Sequence, residues 1–132
     1  MKKHKYIIAA IVLLITSNTI QAQNNKEVDF YATAAAQTEK YIEFYKLNEY
    51  QAFRVDTMLQ NCYIDLDIKM KELQERGAST EDVYKNEMDK FMNRISEGFR
   101  SIFDDKQWQK YMKSTEGRDY KRRMLKKGIE IK

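Results

Sequence analysis

The sequence predicts an all-α protein: a long antiparallel helical hairpin with a shorter helix on each side, four helices in all, extended and dimeric. Three observations carry this. The chain of 132 residues holds no proline and only four glycines, so it has few ways to stop a helix. Two stretches repeat apolar residues at spacings of three and four, the mark of an amphipathic helix. A short pattern of large apolar residue, small polar residue, two variable residues and glutamine occurs twice, as Leu47-Asn48-Glu49-Tyr50-Gln51 and as Phe103-Asp104-Asp105-Lys106-Gln107.

Taken in order, residues 1–22 read as a secretory signal peptide. Met1-Lys2-Lys3-His4-Lys5 is basic, Tyr6 to Ile15 is apolar, and the following residues are short and mostly polar, with cleavage expected near Ala22. The apolar run is about half of the ~20 residues that a membrane span needs. No cysteine lies near the cleavage position, so no lipid anchor is expected. The remainder forms one domain, residues 23–117, followed by a basic tail, residues 118–132. After removal of the leader the chain carries 21 Lys and Arg against 20 Asp and Glu, but the tail alone carries seven against two. A mildly acidic body therefore precedes a basic end.

The first helix is expected over residues 28–46, with Tyr31, Ala35, Tyr41, Ile42 and Tyr45 on one side. The second spans 48–76, where Val55, Leu59, Cys62, Leu66, Met70 and Leu73 form one stripe at about 3.6 residues per turn. Gly77 supplies a left-handed stop, and Ser79 or Thr80 caps the next helix. The third helix spans 80–102 on Tyr84, Met88, Phe91, Ile95, Phe99 and Ile102. So short a connection forces an antiparallel hairpin.

The doubled pattern has a mechanical reading. Asn48 can accept from the first-turn N–H groups while Gln51 reaches back to the N–H of Asn48, and Asp104 with Gln107 can do the same: two capping boxes. Leu47 and Phe103, in front of each, act as hydrophobic staples toward Ala52 and Trp108. The second copy opens a fourth helix over 104–115, whose Trp108, Tyr111 and Met112 must dock on something. The tail is either a continuation of that helix or disordered.

Two such motifs, each opening a helix in a small exported helical chain, resemble the LTXXQ-type periplasmic proteins of the Spy and CpxP group. The likeness covers roughly residues 45–115. Asn48 and Asp104 stand where the motif has threonine, and Phe103 where it has leucine; both substitutions at the cap keep a capping side chain. The resemblance implies an ATP-independent chaperone of the cell envelope, an antiparallel dimer of bent hairpins whose concave face holds unfolded proteins. Some relatives instead bind the sensor domain of an envelope-stress kinase, and others are linked to zinc through histidines.

The residues themselves narrow the chemistry. The second helix has a second apolar face, with Phe53, Ile64 and Ile68 opposite the Val55 stripe. It must meet the first helix, a second copy or a bound protein. The third helix is one-sided, with Asn86, Asp89, Asn93 and Arg100 turned to water. The only histidine is His4, in the leader, so a nucleophile lacks its usual base, and no glycine-rich phosphate loop exists. No catalysis, cofactor, metal site or nucleic-acid partner is expected. Cys62 reads as a buried inert thiol on the core stripe. The basic tail could give weak contact with a membrane surface. The expected function is that of a periplasmic stress protein that holds unfolded or damaged envelope proteins, probing the alternative of an adaptor on a sensor domain.

Overall fold

A computed structural model of the chain describes residues 28–132. The expected leader, with His4 and the bond after Ala22, lies outside the described residues. These contain five helices and no strand: α1 Phe30–Tyr45, α2 Glu49–Glu75, α3 Glu81–Ile102, α4 Asp105–Lys113 and α5 Thr115–Lys126. The fold is all-α, with five described helices where four were expected.

The spine is the α2–α3 pair. Gln51 lies beside Ile102, Tyr63 beside Phe91 and Asp65 beside Arg94, so the two helices run in opposite directions. Gly77 turns the chain at φ 68°, and the N–H of Ala78 returns to the carbonyl of Leu73, closing the end of α2 as glycine at this position allows. Thr80 is the N-cap of α3 by backbone conformation, without a side-chain bond; Glu81 and Asp82 supply the first-turn acids. Val55, Leu59, Cys62, Leu66, Phe91, Ile95 and Phe99 bury their side chains in one core.

α1 folds back on α2 through a sharp corner. Lys46 takes a left-handed conformation at φ 55°, and its N–H and that of Leu47 both donate to the carbonyl of Ile42. Here the inward face agrees with expectation at Tyr41, Ile42 and Tyr45 and differs from it at Tyr31 and Ala35. Ala34, Thr38 and Tyr45 are buried, whereas Tyr31 and Ala35 are exposed. The small Ala34 and Thr38 let this helix approach closely, and Thr38 satisfies its hydroxyl on the carbonyl of Ala34.

Both capping boxes are complete. Asn48 accepts from Gln51 N at 2.8 Å, and Asp104 from Gln107 N at 2.7 Å. The two glutamines then bond to each other. Gln51 Nε2 donates to Gln107 Oε1 at 2.7 Å, and Gln107 Nε2 donates to Gln51 Oε1 at 3.2 Å. Each Oε1 also accepts from its own cap's N–H. Each Nε2 also donates to the last carbonyl of a helix from the other half: Gln51 to Ile102 of α3, Gln107 to Tyr45 of α1, both at 3.1 Å. Every donor and acceptor position of both amides is thereby used.

Around this pair lies an aromatic cluster. Phe99 stacks on Phe103 with centroids 4.8 Å apart, Tyr41 meets Phe99 edge-on at 4.9 Å, and Trp108 stacks on Tyr111 at 5.3 Å. The hydroxyls of Tyr111 and Ser96 share a buried bond of 2.6 Å. This is where α4 docks.

Of the two forms expected for the tail, residues 118–126 take the helical one, though in a separate helix rather than as a direct continuation of α4. Ser114 breaks α4 in an extended conformation and caps α5, accepting from Gly117 N at 3.1 Å. Gly117 is required there, since a Cβ would sit 2.1 Å from the carbonyl oxygen of Tyr111. Tyr120 and Met124 are buried, and Arg123 Nε donates to Asn93 Oδ1 at 2.7 Å. That contact corrects the expected solvent face of α3 at one residue: Asn93 is buried under α5, while Asn86 and Arg100 remain exposed, the latter with its guanidinium over the Trp108 ring at 5.3 Å. A polar residue can lie in a covered face where its hydrogen-bonding group is matched, as Asn93 Oδ1 is by Arg123.

Two outcomes follow for stability. Gln107→Ala should cost roughly 2–4 kcal/mol in urea unfolding, because it strips the Asp104 N–H, the Tyr45 carbonyl and the Gln51 amide of partners at once. Adding Gln51→Ala should then cost less than it does alone, with a coupling of about 1 kcal/mol or more; strict additivity would mean the amides do not act together. Secondly, burial pushes the phenols of Tyr45 and Tyr63 up to about 12 from an ordinary 10.0, and those of Tyr41 and Tyr111 upward also. The folded state holds these protons more tightly than the unfolded chain does. Their contribution to stability is complete below pH 10 and is lost as pH rises through about 12. The part of the tyrosinate absorbance that rises through about 12 should therefore be accompanied by loss of helical circular dichroism, which tyrosines outside the core should not cause.

Candidate functional site

α1, α4 and α5 attach to the α2–α3 hairpin at its core side and along the Asn93 flank of α3. What remains uncovered is the outward edge of α2 and the flank of α3 that carries Arg94, Gly98 and Ser101. Successive residues of a helix turn by about 100°, so Tyr50, Phe53, Thr57, Ile64 and Ile68 fall within one sector of α2. Three of them are large apolar residues left in water: Tyr50 is 70% exposed, Phe53 68% and Ile68 51%. Ile64 is half-buried. Of the three routes open to this face, coverage by α1 is thus not taken at Phe53 or Ile68.

Beside the stripe runs an open groove of about 340 Å³, with Phe53, Thr57, Met58 and Asn61 on the α2 wall and Arg94 and Gly98 on the α3 wall. Its floor depends on one contact. A Cβ on Gly98 would fall 2.0 Å from the sulfur of Met58, so the missing side chain lets the thioether lie across α3. Met58 is an unbranched, polarisable side chain that adapts to what is laid on it. The groove's charge is local and mixed: Arg94 pairs with Asp65 across the two helices, and the Arg54 guanidinium stands 5.7 Å from the Tyr50 ring centroid.

The side chains lining this surface offer apolar and ion-pair contacts. Cys62 lies close to the groove but is buried, and burial pushes its thiol pKa up, with nearby Arg94 only partly offsetting this. A thiol held protonated is a poor nucleophile. Among the described residues no group of three or more His, Cys, Asp and Glu side chains could hold a metal ion. Among them, too, no helix is long and apolar enough to cross a membrane.

The candidate residues therefore fall in two places. Leu47, Asn48, Gln51, Phe103, Asp104 and Gln107 come together at the end of the hairpin where α1 and α4 join it. Phe53, Ile64 and Ile68 remain apart from them on the open edge. Sequence reasoning missed Met58 and Gly98 as parts of the groove, and it missed the bond between the two glutamines. The second had a signal: an antiparallel hairpin brings the start of α2 and the end of α3 to one place, so equivalent residues of the two motifs must meet.

Comparison with known proteins finds similarity to the Chaperone protein Skp of Blochmanniella pennsylvanica (strain BPEN), at 24% identity over 119 residues, which are 90% of this chain and 72% of that protein. No family model matches the chain. No solved structure matches it significantly.

The exposure of the stripe has a direct consequence. Phe53→Ser and Ile68→Ser should each change the unfolding free energy by no more than about 0.5 kcal/mol, as surface substitutions do. Leu59→Ala, in the core, should cost about 2–5 kcal/mol. Denaturant unfolding at several protein concentrations measures both. A loss of core size at Phe53 would mean that a second copy already covers it.

Proposed function

We propose that the protein is an ATP-independent holdase of the cell envelope, which binds unfolded or damaged proteins on the outward face of α2 and its groove. The observation that carries this reading is the stripe of Tyr50, Phe53 and Ile68, exposed on a rigid helix and bordered by the Met58 groove. Large apolar residues recurring on one face beside an open groove are what an interaction site would display. The interleaved polar residues Thr57, Gln60 and Asn61 keep the stripe from being one continuous apolar patch, which suits weak reversible contact with many sequences.

The similarity to a chaperone protein supports the class of activity, and the resemblance to the Spy and CpxP group supports its mode and place. In this reading the leader delivers the chain to the periplasm. Nothing in the mechanism needs nucleotide: an unfolded segment lays apolar side chains on the stripe, loses water-exposed area and is kept from other unfolded chains. A homodimer would set two such faces together and so raise affinity through linked contacts.

The test is suppression of aggregation. At near-stoichiometric ratio the protein should delay light scattering by several unrelated chemically denatured proteins. A variant with Phe53, Ile64 and Ile68 all replaced by serine should lose most of that effect while keeping its helicity. Protection of none of them, with tight binding to one envelope sensor domain, would transfer the assignment to the adaptor class.

A further inference from the structure

A second surface lies on α5, away from the groove. One side of this helix is fixed: Gly117, Tyr120 and Met124 are buried, and Arg123 turns inward to Asn93. The opposite side is therefore presented in a set orientation. It carries Arg118, Lys121, Arg122, Leu125 and Lys126, all exposed, at the three- and four-residue spacing of one helical face. Lys127 follows, and after the turn at Gly128 comes Ile129. Leu125 is 53% exposed and Ile129 46%, so two large aliphatic side chains stand in water among four or five cations.

We infer that this face docks on an anionic phospholipid bilayer, with α5 lying in the plane of the interface. Charge complementarity selects a polyanion, and the two aliphatic side chains select which one. Against an acidic protein or free phosphate, Leu125 and Ile129 gain little. At a bilayer they enter the acyl boundary while the lysines on either side extend their chains to the phosphates. The acidic side chains near this face do not reverse its sign: Asp119 pairs with Arg122 at 3.2 Å, and among residues 127–132 Glu130 stands against Lys127 and Lys132. The surface holds whichever occupant takes the α2 face, and it would keep a holdase near the membrane, where exported chains emerge.

The probe is a set of vesicles, phosphatidylcholine with and without phosphatidylglycerol. The protein is used in the form that the expressing cell leaves it, with its N-terminus fixed by mass. It should co-sediment with the anionic vesicles alone and be released by salt. Lys121→Gln, Lys126→Gln and Lys127→Gln combined should lower partitioning about a hundredfold, at roughly fivefold per charge. Leu125→Ala with Ile129→Ala should lower it about tenfold. Circular dichroism should show unchanged helicity in both. Equal binding by the wild type and the lysine variant, or no binding by the wild type, overturns the inference. So does a lysine effect without a Leu125 and Ile129 effect, since α5 would then be held by charge alone and not seated in the interface.

Discussion

The reciprocal amide bond between Gln51 and Gln107 is the constraint on which the rest of this structure depends. A helix leaves orphan N–H groups at its start and orphan carbonyls at its end. Here two helix starts and two helix ends meet in one place, and two side chains serve all four. Each glutamine closes its own capping box and gives its remaining N–H to a carbonyl from the opposite half. The bond is part-buried, where competition from water is weak and a lost partner costs most. Neither amide could be replaced by a carboxylate without putting oxygen against oxygen.

That junction sets the directions of four helices, and the directions decide which surfaces are covered. α1 and α4 leave the same end of the hairpin, so their aromatic side chains converge: Tyr41 and Tyr45 from α1, Phe99 and Phe103 at the end of α3, Trp108 and Tyr111 from α4. Lys110 of α4 extends the closure by donating to the carbonyl of Phe44 while its ammonium lies 4.0 Å from the Phe44 ring centroid. With so much packed on one side, α5 has only the Asn93 flank of α3 left to cover. The outward edge of α2 is then left over by geometry, since no described element remains to lie on it.

What the sequence made legible follows from how local each signal is. Gly77, Asn48 and Asp104 act on backbone groups within a few residues, and periodicity in α2 and α3 is dense enough to place Val55, Leu59, Phe91 and Phe99 in the core. That α5 is a separate helix docked on α3 was illegible for a physical reason. Its mean character is basic and its buried side is only Gly117, Tyr120 and Met124, with an arginine matched to Asn93; a pairing of that kind carries no periodic signature in either helix alone. On α1 the sequence placed Tyr41, Ile42 and Tyr45 against the core but misplaced Tyr31 and Ala35, because the small Ala34 and Thr38 take the inward positions at that end of the helix. The groove was invisible because it rests on an absence, the side chain that Gly98 lacks.

The uncovered edge of α2 also shows how an exposed apolar surface can coexist with a stable fold. Its residues contribute to neither the aromatic cluster nor the core stripe, so selection can vary Phe53 or Ile68 without disturbing the glutamine junction. The polar residues Thr57, Gln60 and Asn61 divide the stripe, and Arg54 and Arg94 stand at its border. An unbroken row of aliphatic residues would favour permanent association with like surfaces. In the proposed holdase, a divided one on a rigid helix would bind through several small contacts, each easily lost. Release would then need no input of chemical energy, because every contact could break singly while the scaffold kept its shape.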